Sequence, residues 1–160
     1  MQILEIKYKH ILYATEFSSK WQDVFCHALG IAKHYNGKIT LLFVINTELI
    51  DLLTFDVGIE RSSSIDKKFT EAKEFTSNIY QQILKKITEE FEEDVLKNID
   101  ILVERGNPAK IILNIAEARE CDIIVMGFKG KTAQEDSTIG STVNRVLHKS
   151  KIPVLVIHNI

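Results

Sequence analysis

The sequence predicts an α/β protein, a single doubly wound domain with a five-stranded parallel sheet and helices on both faces. Three observations carry this. Short apolar runs rich in β-branched residues recur along the chain ("HILYAT", "KITLLFVI", "IDILVERG", "CDIIVMG", "IPVLVIHN"). Longer stretches between them repeat their apolar residues at helical spacing. Strands that are apolar throughout, rather than alternating, belong in a parallel sheet buried on both sides, where right-handed crossovers place helices.

Taken in order, "HILYAT" (10–15) is the first strand. The next stretch is a helix with Trp21, Phe25, Ala28, Ala32 and Tyr35 on one face, closed by Gly37. "KITLLFVI" (38–45) is the second strand. Residues 46–64 form a long connection, and Leu49, Leu52, Leu53 and Phe55 predict that part of it packs as a short helix. From Ser64 to Leu96 one long amphipathic pattern sets Phe69, Ala72, Ile79, Ile83, Ile87 and Phe91 on a single face. "IDILVERG" (99–106) is the third strand, followed by a helix with Asn107 as N-cap and Pro108 at its first position. "CDIIVMG" (121–127) is the fourth strand, a helix begins near Gly140, and "IPVLVIHN" (152–159) is the last strand.

The 160 residues fit one domain spanning 1–160, large enough to bury roughly 70% of its unfolded surface without a disulfide or metal staple. A net charge of −2 argues against a dedicated nucleic-acid binder, which needs a strongly basic face. Cys26 and Cys121 form no CxxC pair, and two lone thiols fit a reducing cytoplasm. The start of the chain lacks the basic end and long apolar core of a signal peptide. No apolar run approaches the roughly 20 residues that cross a bilayer. A soluble, cytoplasmic protein without a membrane partner is expected. The five histidines show no metal-ligand spacing, and no Ser/His/Asp or Cys/His catalytic set can be assembled. Glu89, Glu90, Glu92, Glu93 and Asp94 read as a solvated helix face, and Cys26 falls off the apolar stripe of its helix.

Ligands of doubly wound sheets bind beyond the carboxyl ends of the strands, where the winding direction reverses. That rule points to "YATEFS" and "MGFKGKT". The "GKT" invites a P-loop reading, which fails twice. The first glycine of GxxxxGK[ST] would have to stand at Val125, and the polar "AQEDSTI" follows where a helix should start. Another frame explains the glycines better. Gly127, Gly130 and Gly140, with Ser141 next, give the spacing G-2x-G-9x-G-S. Glycine lets backbone amides come close to phosphate oxygens. Gly140-Ser141 opens a helix whose first N–H groups lack intrahelical partners. Lys129 and Lys131 add positive charge near the loop, and Arg145, His148 and Lys149 suit the helix's opposite end.

With this spacing the chain resembles the universal stress protein family, in particular its ATP-binding branch with the signature G-2x-G-9x-G-(S/T). The resemblance covers nearly the whole sequence through "ILYATEFS", "KITLLFVI", "ERGNPAKII", "CDIIVMG" and "IPVLVI". It implies a Rossmann-like sheet in the order 3-2-1-4-5. It further implies ATP, carried with Mg2+, as ligand. Ala14, Thr15, Glu16 and the backbone near Val44 would hold adenine and ribose, and Met126, Gly127, Lys129, Gly130, Gly140, Ser141 and Thr142 would surround the phosphates. Two residues depart from the family pattern. Glu16 stands where the family usually has Asp, and Thr142-Val143 reverses the usual order of an apolar residue followed by a hydroxyl. The implied role is a nucleotide-responsive regulatory or protective module with an unknown protein partner. Alternatives are an interaction protein of the same fold with weak or no nucleotide binding, and an enzyme that at most hydrolyses ATP slowly. The HxGH and SGGxDS motifs of nucleotidyl-transfer and pyrophosphatase relatives are not present near the first strand. In this strand order the last strand lies at a sheet edge. Its apolar 152–158 segment predicts a homodimer paired along that edge.

Overall fold

A computed structural model describes residues 5–18, 20–47, 65–128 and 139–158, with the backbone alone for 65–70. The five strands are β1 (His10–Thr15), β2 (Lys38–Asn46), β3 (Ile99–Gly106), β4 (Ile123–Gly127) and β5 (Val154–Ile157). They form one sheet in the order β3-β2-β1-β4-β5, and every neighbouring pair is parallel. The described helices are α1 (Trp21–Tyr35), α2 (Ile65–Glu90), α3 (Glu93–Leu96), α4 (Pro108–Ala118) and α5 (Ser141–Lys149).

Each strand feeds two cores, because successive side chains leave opposite faces of the sheet. Ile11, Tyr13, Ile39, Leu41, Ile123 and Val125 pack with Trp21, Phe25, Ala28 and Ala32 of α1 and with Ile83 and Ile87 of α2. Leu12, Ala14, Leu42, Ile124 and Met126 pack on the other face with Ala109, Ile112 and Ala116 of α4 and Val143 and Val146 of α5. This double burial explains why the strands read as continuous apolar runs.

Several element ends differ from the sequence expectation. β4 begins at Ile123 and β5 covers only Val154–Ile157, so the Pro153 carbonyl accepts from the Ile124 amide while its ring nitrogen stays outside the ladder. The long helical pattern breaks after Glu90, and α3 is a separate short turn. At the break Phe91 packs its ring on Phe25 at 5.0 Å and on Trp21 at 6.1 Å between centroids. Phe75 lies 46% exposed on α2. α1 ends at Asn36, which takes the left-handed conformation, and not through a left-handed glycine. Gly37 serves a different need, since a Cβ there would stand 2.7 Å from the Lys9 carbonyl oxygen. Asn107 caps α4 as the sequence predicts, with its side chain accepting from the Lys110 amide and Pro108 in the first turn. The packing helix expected within 46–64 lies outside the described residues. Glu89, Glu90, Glu92, Glu93 and Asp94 are exposed, as is Cys26, while Cys121 is buried.

Candidate functional site

The winding reverses at β1, where the chain runs outward through β2 and β3 on one side and then crosses to β4 and β5 on the other. The carboxyl ends of these strands lie side by side. Ala14 pairs with Leu42 on one side and Met126 on the other, and Thr15 pairs with Phe43. The structure thus brings together Ala14, Thr15, Met126 and Gly127, with Val44 one residue further along β2. Ala14 and Met126 are 7% and 4% exposed, so they present backbone to this region and side chains to the core. Val44 is half-buried against the same core. Glu16 is half-buried immediately past β1.

The turn leaving β1 is built by Thr15 and Phe17. The Thr15 hydroxyl accepts from the Phe17 amide at 3.0 Å. Phe17 takes a φ of +50°, a left-handed conformation that costs a non-glycine residue on the order of 1–3 kcal/mol. Packing holds it there. Its ring contacts Trp21 and Phe43, with centroids 4.9 and 5.9 Å away, and the Lys86 ammonium of α2 lies 5.4 Å from its centre. Behind the turn, the Tyr13 hydroxyl donates to the Trp21 carbonyl at 3.0 Å, and burial raises its pKa. Tyr13 therefore stays neutral and anchors α1.

The second half of the site is the start of α5. Gly140 is its N-cap and makes no side-chain capping bond. The Gly140 amide donates to the Phe128 carbonyl at 3.1 Å, which draws the helix start against the end of β4. The Phe128 amide in turn donates to the Ile157 carbonyl of β5 at 2.8 Å. Among the described residues nothing accepts from the Ser141, Thr142 and Val143 amides. The contrast with α4 is direct, since Asn107 satisfies an amide of that helix's first turn. The exchanged pair after Ser141 also becomes intelligible. Val143 is 4% exposed in the core, and Thr142 stays half-buried at the open first turn. Lys129 and Gly130 lie outside the described residues.

Sequence reasoning missed two contributors to this end of the sheet. Phe17 carries no signal, because no residue type announces a left-handed phenylalanine held by its neighbours. Gly106, at the end of β3, has a φ of +142° and lies where a Cβ would come 3.3 Å from the Ile111 side chain. Its place one residue before the Asn107-Pro108 helix start was the signal for it. Among the described residues no group of three or more His, Cys, Asp or Glu side chains could hold a metal ion, and no described helix is long and apolar enough to cross a membrane.

The arrangement sets the carboxyl ends of β1, β2 and β4 beside an open helix N-terminus, whose amides suit an anionic group. Comparison with known proteins places it in context. The universal stress protein family profile matches residues 7–158. The universal stress protein MJ0577 of Methanocaldococcus jannaschii is 31% identical over 158 residues, covering 96% of this chain and 97% of that protein. The solved MJ0577 structure aligns over 97% of this chain and 99% of its own, with a TM-score of 0.67 at 30% identity. UspA from Lactobacillus plantarum has the same fold, with a TM-score of 0.72 at 21% identity over 96% of this chain and 99% of its own. So does a universal stress protein solved in complex with cAMP, with a TM-score of 0.59 at 17% identity over 96% of this chain and 98% of its own. The chain belongs to the universal stress protein family.

Proposed function

We propose that this protein is a nucleotide-responsive regulatory or protective module of the stress response that binds ATP at the junction of β1 and β4. The observation that carries the reading is the open first turn of α5, drawn against the end of β4 by the Gly140–Phe128 hydrogen bond. In this reading the Ser141 and Thr142 amides take phosphate oxygens, and Gly127 and Gly140 allow the close approach. Lys129 and Gly130 complete the cradle, with Met126 forming its floor. Ala14, Thr15 and Glu16 at the end of β1 and the backbone near Val44 in β2 hold adenine and ribose. Mg2+ enters on the nucleotide, which suits an ion that keeps several waters and binds largely through phosphates. Its role is to neutralise phosphate charge.

Hydrolysis is expected to be slow at most, because phosphoryl transfer requires a residue that orients the attacking water. Two unpaired thiols, one of them exposed, suit a cytoplasmic setting. β5 is an edge strand with four half-buried apolar residues, and pairing of two copies along it would make a twofold homodimer. A competing reading is an interaction protein of this fold with weak nucleotide binding. It is favoured by the Thr15 hydroxyl, already engaged by the Phe17 amide, and by the longer Glu16 arm.

Mass spectrometry of nucleotide released from fresh protein, with calorimetry of ATP, AMP and cAMP, decides between them. cAMP belongs in the panel because one relative of the fold was solved with it. The expected result is ATP binding that Gly140→Val abolishes while the circular dichroism spectrum is unchanged. Equal affinity in the variant ends the phosphate reading, and no nucleotide binding at all favours the interaction protein. Val156→Lys is expected to sediment as a folded monomer, and a wild-type chain that is monomeric at high micromolar concentration rules out the edge pairing.

A further inference from the structure

Phe128 is held at three points. Its amide donates to the end of β5, at Ile157, and its carbonyl accepts from Gly140 at the cap of α5. Its ring stacks on the imidazole of His158, with centroids 3.8 Å apart and planes 22° from parallel. One residue thereby joins β4, the edge strand and the helix start. His158 is exposed, and among the described residues its side chain makes no hydrogen bond or ion pair. The stack is therefore what fixes this imidazole, and through it the chain just past β5 is fixed to the stem leading toward α5.

We propose that the Phe128–His158 stack is a positioning device that couples the edge strand to the α5 N-terminus and thereby sets the affinity of the phosphate site. The proposal rests on the phosphate reading above. The α5 amides act together on an anion only while the helix start keeps its place beside Gly127, and the Gly140–Phe128 bond sets that place. Phe128 is steady only as long as its own anchors hold. Without the stack, a fraction of the molecules lose the alignment, and apparent affinity falls in proportion to the assembled fraction. An aromatic pair of this geometry shifts the alignment equilibrium by about threefold to tenfold. The coupling is reciprocal, so a bound phosphate chain also steadies the carboxyl end of β5. The edge offered to a second copy of the chain is then better ordered when nucleotide is present.

The test uses the full chain with His158→Ala and with His158→Phe, which restores a ring. Hydrogen exchange at the Phe128 and Gly140 amides is measured without ligand, and ATP and adenosine affinities are measured by calorimetry. In His158→Ala, exchange at both amides is expected to rise by about threefold to tenfold, and ATP affinity to fall by a smaller factor, set by the fraction of molecules that lose the alignment. Adenosine, which lacks phosphates, is expected to bind as before, and His158→Phe to restore both readouts. Unchanged exchange in His158→Ala overturns the proposal. So does an equal loss for ATP and adenosine, or a failure of the phenylalanine variant to rescue. If the wild-type chain binds no ATP, the phosphate reading falls on that result alone. Exchange at Gly140 still decides whether the edge strand and α5 are coupled.

Discussion

The two ends of the sheet treat their polar groups in opposite ways. At the amino end they bond to each other. The Asp122 carboxylate accepts from the amides of Lys9 and His10 at 2.7 and 2.8 Å. His10 and Thr40, the buried polar side chains among the described residues, share a hydrogen bond of 2.8 Å between Nε2 and Oγ1. The Arg119 guanidinium, at the end of α4, reaches Thr40 and pairs with Asp100. At the carboxyl end, the first amides of α5 have no partner among the described residues, and Phe17 and Gly106 hold unusual backbone angles. The difference teaches where this chain uses its polar groups for stability and where it leaves them open. Satisfied groups at the amino end hold the strands together. Open groups at the other end are where the proposed ligand would complete hydrogen bonds.

The comparison breaks most visibly if the amino end is forced apart. Gly37→Ala places a methyl group 2.7 Å from the Lys9 carbonyl oxygen and 3.0 Å from that of Tyr8. Both are backbone atoms and cannot swing away. Urea unfolding is expected to show a loss on the order of 3 kcal/mol, at the upper end for overpacking, with ATP affinity per folded molecule unchanged. A stability equal to wild type would show that this end is looser than its geometry.

Asp122→Ala removes the acceptor of two amides that join β1 to the start of β4. The site is partly open to water, so a loss of about 2 kcal/mol is expected. Asp122→Asn, which keeps one oxygen, should lose less. Identical losses in the two variants would mean that the amides are not what the side chain stabilises.

His10 sharpens the comparison through pH. Burial lowers its pKa and the nearby Lys38 cation lowers it further, while a hydrogen bond to the Arg119 backbone and the Asp122 carboxylate oppose them in part. The folded state therefore favours neutral imidazole, and the unfolded chain binds the proton more readily. This contribution is fully present above the ordinary histidine value of 6.5. It is lost as pH falls from there through the depressed folded value. Melting temperature is expected to drop across that window in the wild-type chain, and less in His10→Gln. Parallel pH profiles would remove His10 from the explanation.

The smallest expected effect lies at the binding end. Thr15→Val removes the hydroxyl that holds the Phe17 amide. A neutral hydrogen bond contributes about 1 kcal/mol to stability, so urea unfolding should show a loss of about that size. A stability equal to wild type would show that this bond does not hold the turn.

Local residue chemistry settled much of this fold in advance. Five apolar runs and the helical spacings between them dictate a parallel sheet covered on both faces, because no other arrangement buries such strands. Asn107-Pro108 announced the start of α4, since the cap and the missing N–H act within one turn. Gly140-Ser141 announced α5 for similar reasons. What the sequence could not decide involves partners distant along the chain. The ring packing at the Phe91 break involves partners 66 and 70 positions earlier, at Phe25 and Trp21. Gly37 reads as a helix stop, yet its necessity comes from Lys9, just before β1. Phe17 adopts a left-handed backbone because Trp21, Phe43 and Lys86 surround its ring. Propensity, capping and periodicity act over a few residues and are written in neighbouring letters. Close approach and ring packing act between surfaces that meet only once the sheet has formed, and only the tertiary structure can decide them.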